Sequence, residues 1–323
     1  MLETRITELF DIRYPIIQGG MRHLARAELV AAVGNAGGIG FLSAHSMPSA
    51  AALQDEIART RSLTDKPFGV NLTILPNLDV KPDDYAAAII ASGVRFVETA
   101  GGNPARYIKA FKEAGIKVLH KCTAVKFAQK AEQLGADAVS ITGFEAAGHP
   151  GEDYVPSMVL IPAAVDQLRI PVVASGGIAD GRGVVAALAL GAEGVSMGTR
   201  FLLTRESPMP DNIKQRYLEA SERDTALVCK SLGDSTRVLR NALTDRILAH
   251  EASGDLAHDA LLDLAGSRRW VEAAQAGDPD GGAFAAGVAV GLMHDVPGCA
   301  EVIERIVAQA RAIVVKRLAG IAQ

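Results

Sequence analysis

Two glycine-rich stretches hold the densest chemistry in this chain: Pro171-Val-Val-Ala-Ser-Gly-Gly-Ile-Ala-Asp-Gly181 and Gly191-Ala-Glu-Gly-Val-Ser-Met-Gly-Thr-Arg200. Each reads as a short apolar strand running straight into glycine, with a helix over Asp180–Leu190 between them. Both strand ends then present bare backbone N–H groups, and such groups backed by a helix N-terminus bind phosphate. The cradle would consist of Ser175, Gly176, Gly177, Gly198 and Thr199. Glycines also let helix and strand pack closely, but glycine and a hydroxyl on both strands point to phosphate. A phosphate is small, so it would be the tail of a larger ligand.

Gln18-Gly19-Gly20-Met21 ends another strand without bulk, as a backbone passing close under a flat ring would require; an ordinary turn reads the same way. Asn71 and Thr73 end a third strand and Lys121 a fifth. A lysine between Leu119 and Cys122 in an apolar strand is costly to bury without an anionic partner. It either pairs with a carboxylate such as Glu98 or lies beside the electron-rich edge of a reduced ring. His149, flanked by glycine and proline in Phe144-Glu-Ala-Ala-Gly-His-Pro-Gly-Glu-Asp153, sits in a loop and can exchange a proton near neutral pH. Glu152 and Asp153 either orient it or are solvated loop carboxylates. Cys122 reads as an inert buried thiol, no histidine spacing supports a metal site, and no GxSxG elbow supplies an acyl-transfer nucleophile.

Eight apolar runs can place these residues at strand ends: Pro15–Gln18, Ile39–Ser43, Phe68–Leu72, Phe96–Thr99, Val118–Lys121, Ala138–Ile141, Val172–Ser175 and Gly194–Met197. Alanine-rich helical stretches separate them, including Ala25–Asn35, Ser49–Arg61, Tyr85–Ser92, Ala105–Ala114, Ala124–Leu134 and Pro156–Leu168. Continuous apolar strands alternating with helices predict an α/β fold, a TIM (β/α)8 barrel with its site at the C-terminal strand ends. A doubly wound open sheet would need fewer strands and a GxGxxG at the first turn, which Gln18-Gly19-Gly20-Met21 does not match. The rhythm breaks after Phe201, and from Ser207 to about Gly291 no strand-like run is evident. The expected organisation is a barrel over 1–205, a helical cap over 206–291, and a C-terminal helical segment over 292–323 that returns to the barrel.

At 323 residues, 49% hydrophobic and only 5% aromatic, the chain suits one large domain with an aliphatic core. A net charge of −4 argues against a nucleic-acid surface. Three widely spaced cysteines make a disulfide framework implausible. With no leader-like N-terminus and no run long enough to span a bilayer, the expectation is a cytoplasmic protein without membrane insertion. A homodimer is compatible with the sequence.

The motifs Pro15-Ile-Ile-Gln-Gly-Gly-Met21, Gly69-Val-Asn-Leu-Thr73, His120-Lys-Cys-Thr123, Gly143-Phe-Glu-Ala-Ala-Gly-His149 and Ala174-Ser-Gly-Gly177 together resemble the nitronate monooxygenase family, formerly the 2-nitropropane dioxygenases. The resemblance runs from Pro15 to past Arg240. Its members are FMN-dependent TIM barrels. Glu98-Thr-Ala-Gly101, His120-Lys-Cys-Thr-Ala-Val125, Gly148-His-Pro-Gly-Glu-Asp153 and Asp180-Gly-Arg-Gly183 are similar to signatures of the family's NADH:quinone reductase branch. The resemblance implies FMN phosphate on Ser175, Gly176, Gly177, Gly198 and Thr199. It implies the isoalloxazine near Gly20, Met21, Asn71, Lys121 and Ala147, with Thr73 at the same strand end. The histidine matching His149 is the catalytic base in nitronate-oxidising members. Thr142 stands where the reductase branch can carry aspartate, which puts a contact to the ribityl chain in question. Pro76-Asn-Leu-Asp-Val-Lys-Pro82 would be the loop gating nicotinamide access.

The function expected from this resemblance is NAD(P)H:quinone reduction by two-electron transfer through flavin N5. Oxidation of alkyl nitronates with O₂ is the alternative. Enoyl-thioester reduction ranks lower, because no basic surface suits an acyl-carrier partner, and a flavin-binding module without turnover is the reading from outside enzymology.

Overall fold

The computed structural model describes residues 2–74, 80–253 and 258–321. The eight expected strands are all present: β1 (Ile16–Gln18), β2 (Ile39–Ser43), β3 (Gly69–Ile74), β4 (Phe96–Gly101), β5 (Lys117–Cys122), β6 (Ala138–Thr142), β7 (Val172–Ser175) and β8 (Gly194–Met197). They pair in parallel in sequence order and close when β8 pairs with β1, Val195 against Ile16 and Met197 against Gln18. This is a TIM barrel.

Helices cover its outer face. They are α2 (Ala27–Asn35), α3 (Ala50–Leu63), α4 (Pro82–Ser92), α5 (Ala105–Glu113), α6 (Val125–Gln133), α7 (Ser157–Val165) and α8 (Gly181–Ala189), while α1 (Arg5–Phe10) lies across the N-terminal end. Their ends follow local chemistry. Ser49 caps α3 by accepting from the Ala52 N–H, Pro82 opens α4 at its first turn, and Gly93 closes α4 in the left-handed region at φ +68°. Residues of α2–α8 pack on the outward side chains of the strands in one continuous core that includes Leu29, Ile57, Ile89, Phe111, Ile161 and Val184.

Inside the barrel, Ile17, Ile39, Phe41, Phe96, Leu119 and Val173 fill the N-terminal half, with Ile6 and Phe10 of α1 closing the bottom. Phe10 meets Phe41 and Phe96 edge-on, with centroids 6.0 and 5.2 Å apart. The barrel is thus filled by apolar side chains at its N-terminal end, and its polar interior residues stand toward the C-terminal strand ends, where sites of this fold are built.

Beyond β8 come α9 (Thr199–Leu202), α10 (Asp211–Leu218), β9 (Thr225–Val228), β10 (Thr236–Leu239), α11 (Ala242–Ala252), α12 (His258–Ala265), α13 (Ser267–Ala276) and α14 (Cys299–Ala312). The expectation of no strand between Ser207 and Gly291 is corrected here: β9 and β10 form an antiparallel ribbon, Thr236 opposite Val228 and Leu239 opposite Thr225. Thr225-Ala-Leu-Val228 and Thr236-Arg-Val-Leu239 are part-exposed and lack the continuous apolar run of the barrel strands, and the pair is held where Val228 and Val238 pack on Leu243 and Ile247 of α11. Leu24, on the loop after β1, joins a second core with Leu202, Ile213, Tyr217 and Phe284. His23 on that loop stacks on Trp270 of α13 at 4.7 Å, so α13 sits over the β1 end. Helix α14 packs between α2 and α8. Among the described residues no helix is long and apolar enough to cross a membrane.

Candidate active site

Strand side chains alternate faces, so the residue two positions beyond an inward apolar one also points inward. Counting upward from the barrel floor, Phe96 is followed by Glu98, Leu119 by Lys121, Ala138 by Ser140 and Thr142, Val173 by Ser175, and Gly69 by Asn71 and Thr73. The interior therefore changes from apolar to polar halfway up.

The centre of this layer is Glu98, which is fully buried. Its Oε2 accepts from Asn71 Nδ2 at 2.6 Å and from the Gly20 N–H at 3.0 Å. Its Oε1 lies 3.2 Å from Lys121 Nζ. Two hydrogen bonds, from β3 and the β1 end, hold Oε2, while Oε1 has the Lys121 ion pair and no hydrogen-bond partner among the described residues. Of the two surroundings expected for Lys121, the ion pair is present, and the ammonium also underlies the β1 turn. A Cβ placed on Gly19 would stand 3.1 Å from Lys121 Nζ and 2.9 Å from Ser196 Oγ. A Cβ on Gly20 would fall under 3.0 Å from Cβ and Cγ of Asn71. Gly20 is thus required by close approach. Thr73 Oγ1 donates to Asn71 Oδ1 at 3.2 Å, and the Thr73 carbonyl bonds His45 Nε2 at 2.7 Å, which fixes the end of β3.

The expected phosphate residues lie on neighbouring strand ends. Gly176 and Gly177 both have positive φ, +98° and +74°, a turn that an L side chain would strain. Thr199 Oγ1 accepts from the Gly287 N–H at 3.1 Å, and a Cβ on Gly198 would meet only Met21 Sδ, at 3.6 Å. One element of the expected cradle differs. The α8 N-terminus is already capped: Asp180 Oδ1 accepts from Arg182 N at 2.8 Å, and Gln309 Oε1 accepts from Gly181 N at 2.8 Å. Any phosphate there would rest on the Ser175–Gly177 turn and on Gly198–Thr199 without the free end of that helix. Glu145 lines the same turn, its carboxylate held by the Ser157 N–H and hydroxyl at 2.9–3.1 Å.

The loop after β6 carries Ala147, Gly148 and His149. It is stitched to β10 by paired backbone bonds, Arg237 N–H to Gly148 O at 2.6 Å and Gly148 N–H to Arg237 O at 3.0 Å. Arg237, buried, donates to the Phe144 carbonyl and lies 4.5 Å over the Phe144 ring. Ala147 N lies 3.3 Å from where a Gly287 Cβ would be, which places it at the same rim as Thr199. The His149 side chain is 62% exposed, and its Nε2 lies 3.4 Å from Asp234 Oδ1. Glu152 does not reach it: that carboxylate accepts from the N–H and hydroxyl of Ser235. Asp234, Ser235 and Arg237 were not foreseen because the hairpin was not. Glu98 was foreseen only as a partner for Lys121, although its place two residues past Phe96 marks it as inward-facing. The segment Pro76–Pro82 lies largely outside the described residues.

Burial shifts the thiol and the imidazole of β5. It pushes the Cys122 thiol up to about 12, in keeping with an inert side chain. It lowers His120, bonded through Nδ1 to Thr99 Oγ1 at 2.9 Å, to about 4, against the raising influence of Glu98.

Among the described residues, two buried hydroxyl oxygens, Ser140 Oγ and Thr142 Oγ1, have no hydrogen-bond partner. Thr142 is the register partner of Ser175, so one of these orphans lies beside the positive-φ turn. Unpaired inward hydroxyls and a positive-φ turn at Gly176–Gly177 on the adjacent strand end fit a ligand with a polyol chain and a phosphate tail. The family model described as nitronate monooxygenase matches residues 3–309.

The chain belongs to the nitronate monooxygenase family, and it is an oxidoreductase. It is 36% identical to a Rhodococcus jostii protein named (3aS,4S,5R,7aS)-5-hydroxy-7a-methyl-1-oxo-octahydro-1H-indene-4-carboxyl-CoA dehydrogenase, over 96% of each chain. It is 36% identical to a probable nitronate monooxygenase of Staphylococcus saprophyticus over 74% of this chain and 79% of that one. Among solved structures, FabK from Thermotoga maritima matches with a TM-score of 0.92 and 36% identity over 99% of this chain and 100% of that one. A nitroalkane oxidase from Streptomyces ansochromogenes matches with a TM-score of 0.80 and 29% identity, covering 95% and 97%.

Proposed function

We propose that the protein is an FMN-dependent NAD(P)H:quinone reductase. The observation that carries this reading is Lys121. Its ammonium, paired with Glu98 at 3.2 Å, lies against the Gly19–Gly20 turn that would back a flat ring. When bound there, FMN would accept an electron pair at N5 from one substrate and pass it to the next. The turn at Ser175–Gly177 with Gly198 and Thr199 would hold the phosphate, and Thr142 the polyol chain. Gly20, Met21, Asn71, Thr73 and Ala147 would border the ring. Lys121 would oppose the negative charge that reduction adds, an interaction that strengthens where water is excluded. An apolar acceptor such as a quinone is selected weakly by shape, so a range of quinones is expected to react.

Oxidation of alkyl nitronates with O₂ is the second reading. It is favoured by the family match and by His149, whose ring is exposed at the rim beside Asp234 and open to a substrate. The Rhodococcus relative, similar along 96% of each chain, favours including a CoA thioester among acceptors and donors. One anaerobic experiment separates these. FMN-loaded protein is mixed in turn with NADH, NADPH, an alkyl nitronate and a saturated acyl-CoA, and bleaching of the flavin is followed. The reduced protein is then mixed with a quinone, an enoyl-CoA and O₂. Bleaching by a nicotinamide and rapid return with quinone is the expected result; bleaching by nitronate or acyl-CoA alone would overturn it.

A further inference from the structure

We propose that Glu98 is a positioning residue for the flavin face: by binding three strand ends at once it delivers the Lys121 ammonium and the Asn71 amide to the ring. The proposal rests on the FMN reading above. Strand β4 lies between β3 and β5, and Asn71 is the direct register partner of Glu98, while Lys121 stands one inward step above Leu119, its partner on β5. One carboxylate therefore reaches Asn71 at 2.6 Å, the Gly20 N–H at 3.0 Å and Lys121 Nζ at 3.2 Å. The other polar groups near this point are Ser196 Oγ, beneath Gly19, and His120 on β5, which the charge of Glu98 influences.

The need for such a residue follows from the lysine itself. Its side chain is 25% exposed, and a flexible four-carbon stem ending in a strongly hydrated ammonium moves toward water unless an anion holds it. Glu98 is fully buried beneath it and holds the charge inward. The same carboxylate keeps Asn71 in the space that Gly20 leaves open. Positioning differs from simple neutralisation in a measurable way. Were Glu98 only offsetting a lysine fixed by other means, removing its charge would strengthen the field at the ring. Were it the anchor, removing it would let the ammonium leave.

Glu98→Gln discriminates between these, because it keeps an oxygen for Gly20 and Asn71 but turns an NH₂ toward Lys121, donor against donor. The reduction potential of bound FMN and the affinities for oxidised and reduced FMN would be measured in wild type, E98Q, K121M and E98Q/K121M. The expected result is that E98Q lowers the preference for reduced over oxidised FMN by about tenfold, the scale of one charge interaction in a part-exposed site. K121M shifts it the same way, and the double variant shifts it no further than either single one. A preference raised or unchanged in E98Q overturns the proposal. Urea unfolding of FMN-free protein supplies a readout independent of the flavin. K121M should have a lower midpoint than E98Q/K121M, since methionine alone strands a buried carboxylate. Equal midpoints would show that Glu98 does not anchor Lys121. Absence of FMN binding in wild type would refute the flavin reading, and the urea comparison would still decide whether the anchor exists.

Discussion

The replacement Gly20→Ala tests the site geometry directly. The added methyl would lie under 3.0 Å from Asn71 Cβ and Cγ, and 2.9 Å from Nδ2. Asn71 cannot simply rotate away, since the nearest atom is its own Cβ, which moves only with the backbone of β3. Its amide is held by Glu98 at 2.6 Å, and its Oδ1 accepts from Thr73 Oγ1 at 3.2 Å. Either the β1 turn retreats or β3 shifts. Overpacking of this kind costs about 1–3 kcal/mol. Losing the bond from Asn71 to a buried carboxylate adds about 1.5–3 kcal/mol. A loss of about 2–4 kcal/mol is expected, allowing for partial relaxation, read as the change in urea unfolding free energy of FMN-free protein. FMN binding should weaken by at least about tenfold, because the displaced turn is the one expected under the ring. Adding Asn71→Ala should not rescue stability, as alanine keeps the clashing Cβ, whereas Asn71→Gly should recover the overpacking part. A Gly20→Ala protein within about 0.5 kcal/mol of wild type and with unchanged FMN affinity would refute this reasoning.

Three further outcomes are expected. Gly177→Val places a β-branched residue at φ +74° and should abolish FMN retention through gel filtration, at a stability cost of about 1–3 kcal/mol; a variant that keeps its flavin would remove that turn from the phosphate site. His149→Ala should leave anaerobic flavin reduction by NADH within about tenfold of wild type while lowering any nitronate oxidation, followed by O₂ uptake, by about 10²–10⁴-fold. A collapse of NADH reduction with FMN still bound would assign His149 to nicotinamide positioning. His120 and His23 are both lowered from 6.5 to about 4 by burial, so each is neutral when folded and takes a proton more readily when unfolded. Their contribution to stability is present above pH 6.5 and is lost as pH falls toward 4. His120→Asn should flatten that part of the stability–pH curve, by at most on the order of 3 kcal/mol; an unchanged slope measured by urea unfolding would show that His120 is not held neutral.

Much of this architecture was legible in the chain because it depends on local chemistry. The apolar runs at Ile39–Ser43, Val172–Ser175 and Gly194–Met197 coincide with the strands as formed, and the others differ at their ends by one or two residues. A strand covered on both faces must be apolar throughout, and a barrel strand that feeds a site ends in glycine or a polar group, so both signals are written in consecutive residues. The polar ends at Asn71, Lys121 and Ser175 were visible for the same reason. Tertiary structure alone decided what these residues touch. Gly20 and Glu98 are 78 positions apart and Arg237 and Phe144 are 93 apart, and no periodicity connects them. The β9–β10 ribbon, whose part-exposed strands carry no continuous apolar run, brought Asp234 to His149 and took Glu152 away from it. The α8 N-terminus, read as free to receive an anion, was closed by Asp180 and by Gln309 from the far end of the chain. Local sequence sets which side chains face the mouth, because strand pleating has a fixed period of two. Barrel closure and register set which of them share a carboxylate, because those contacts are made only when β1, β3 and β5 are brought around β4.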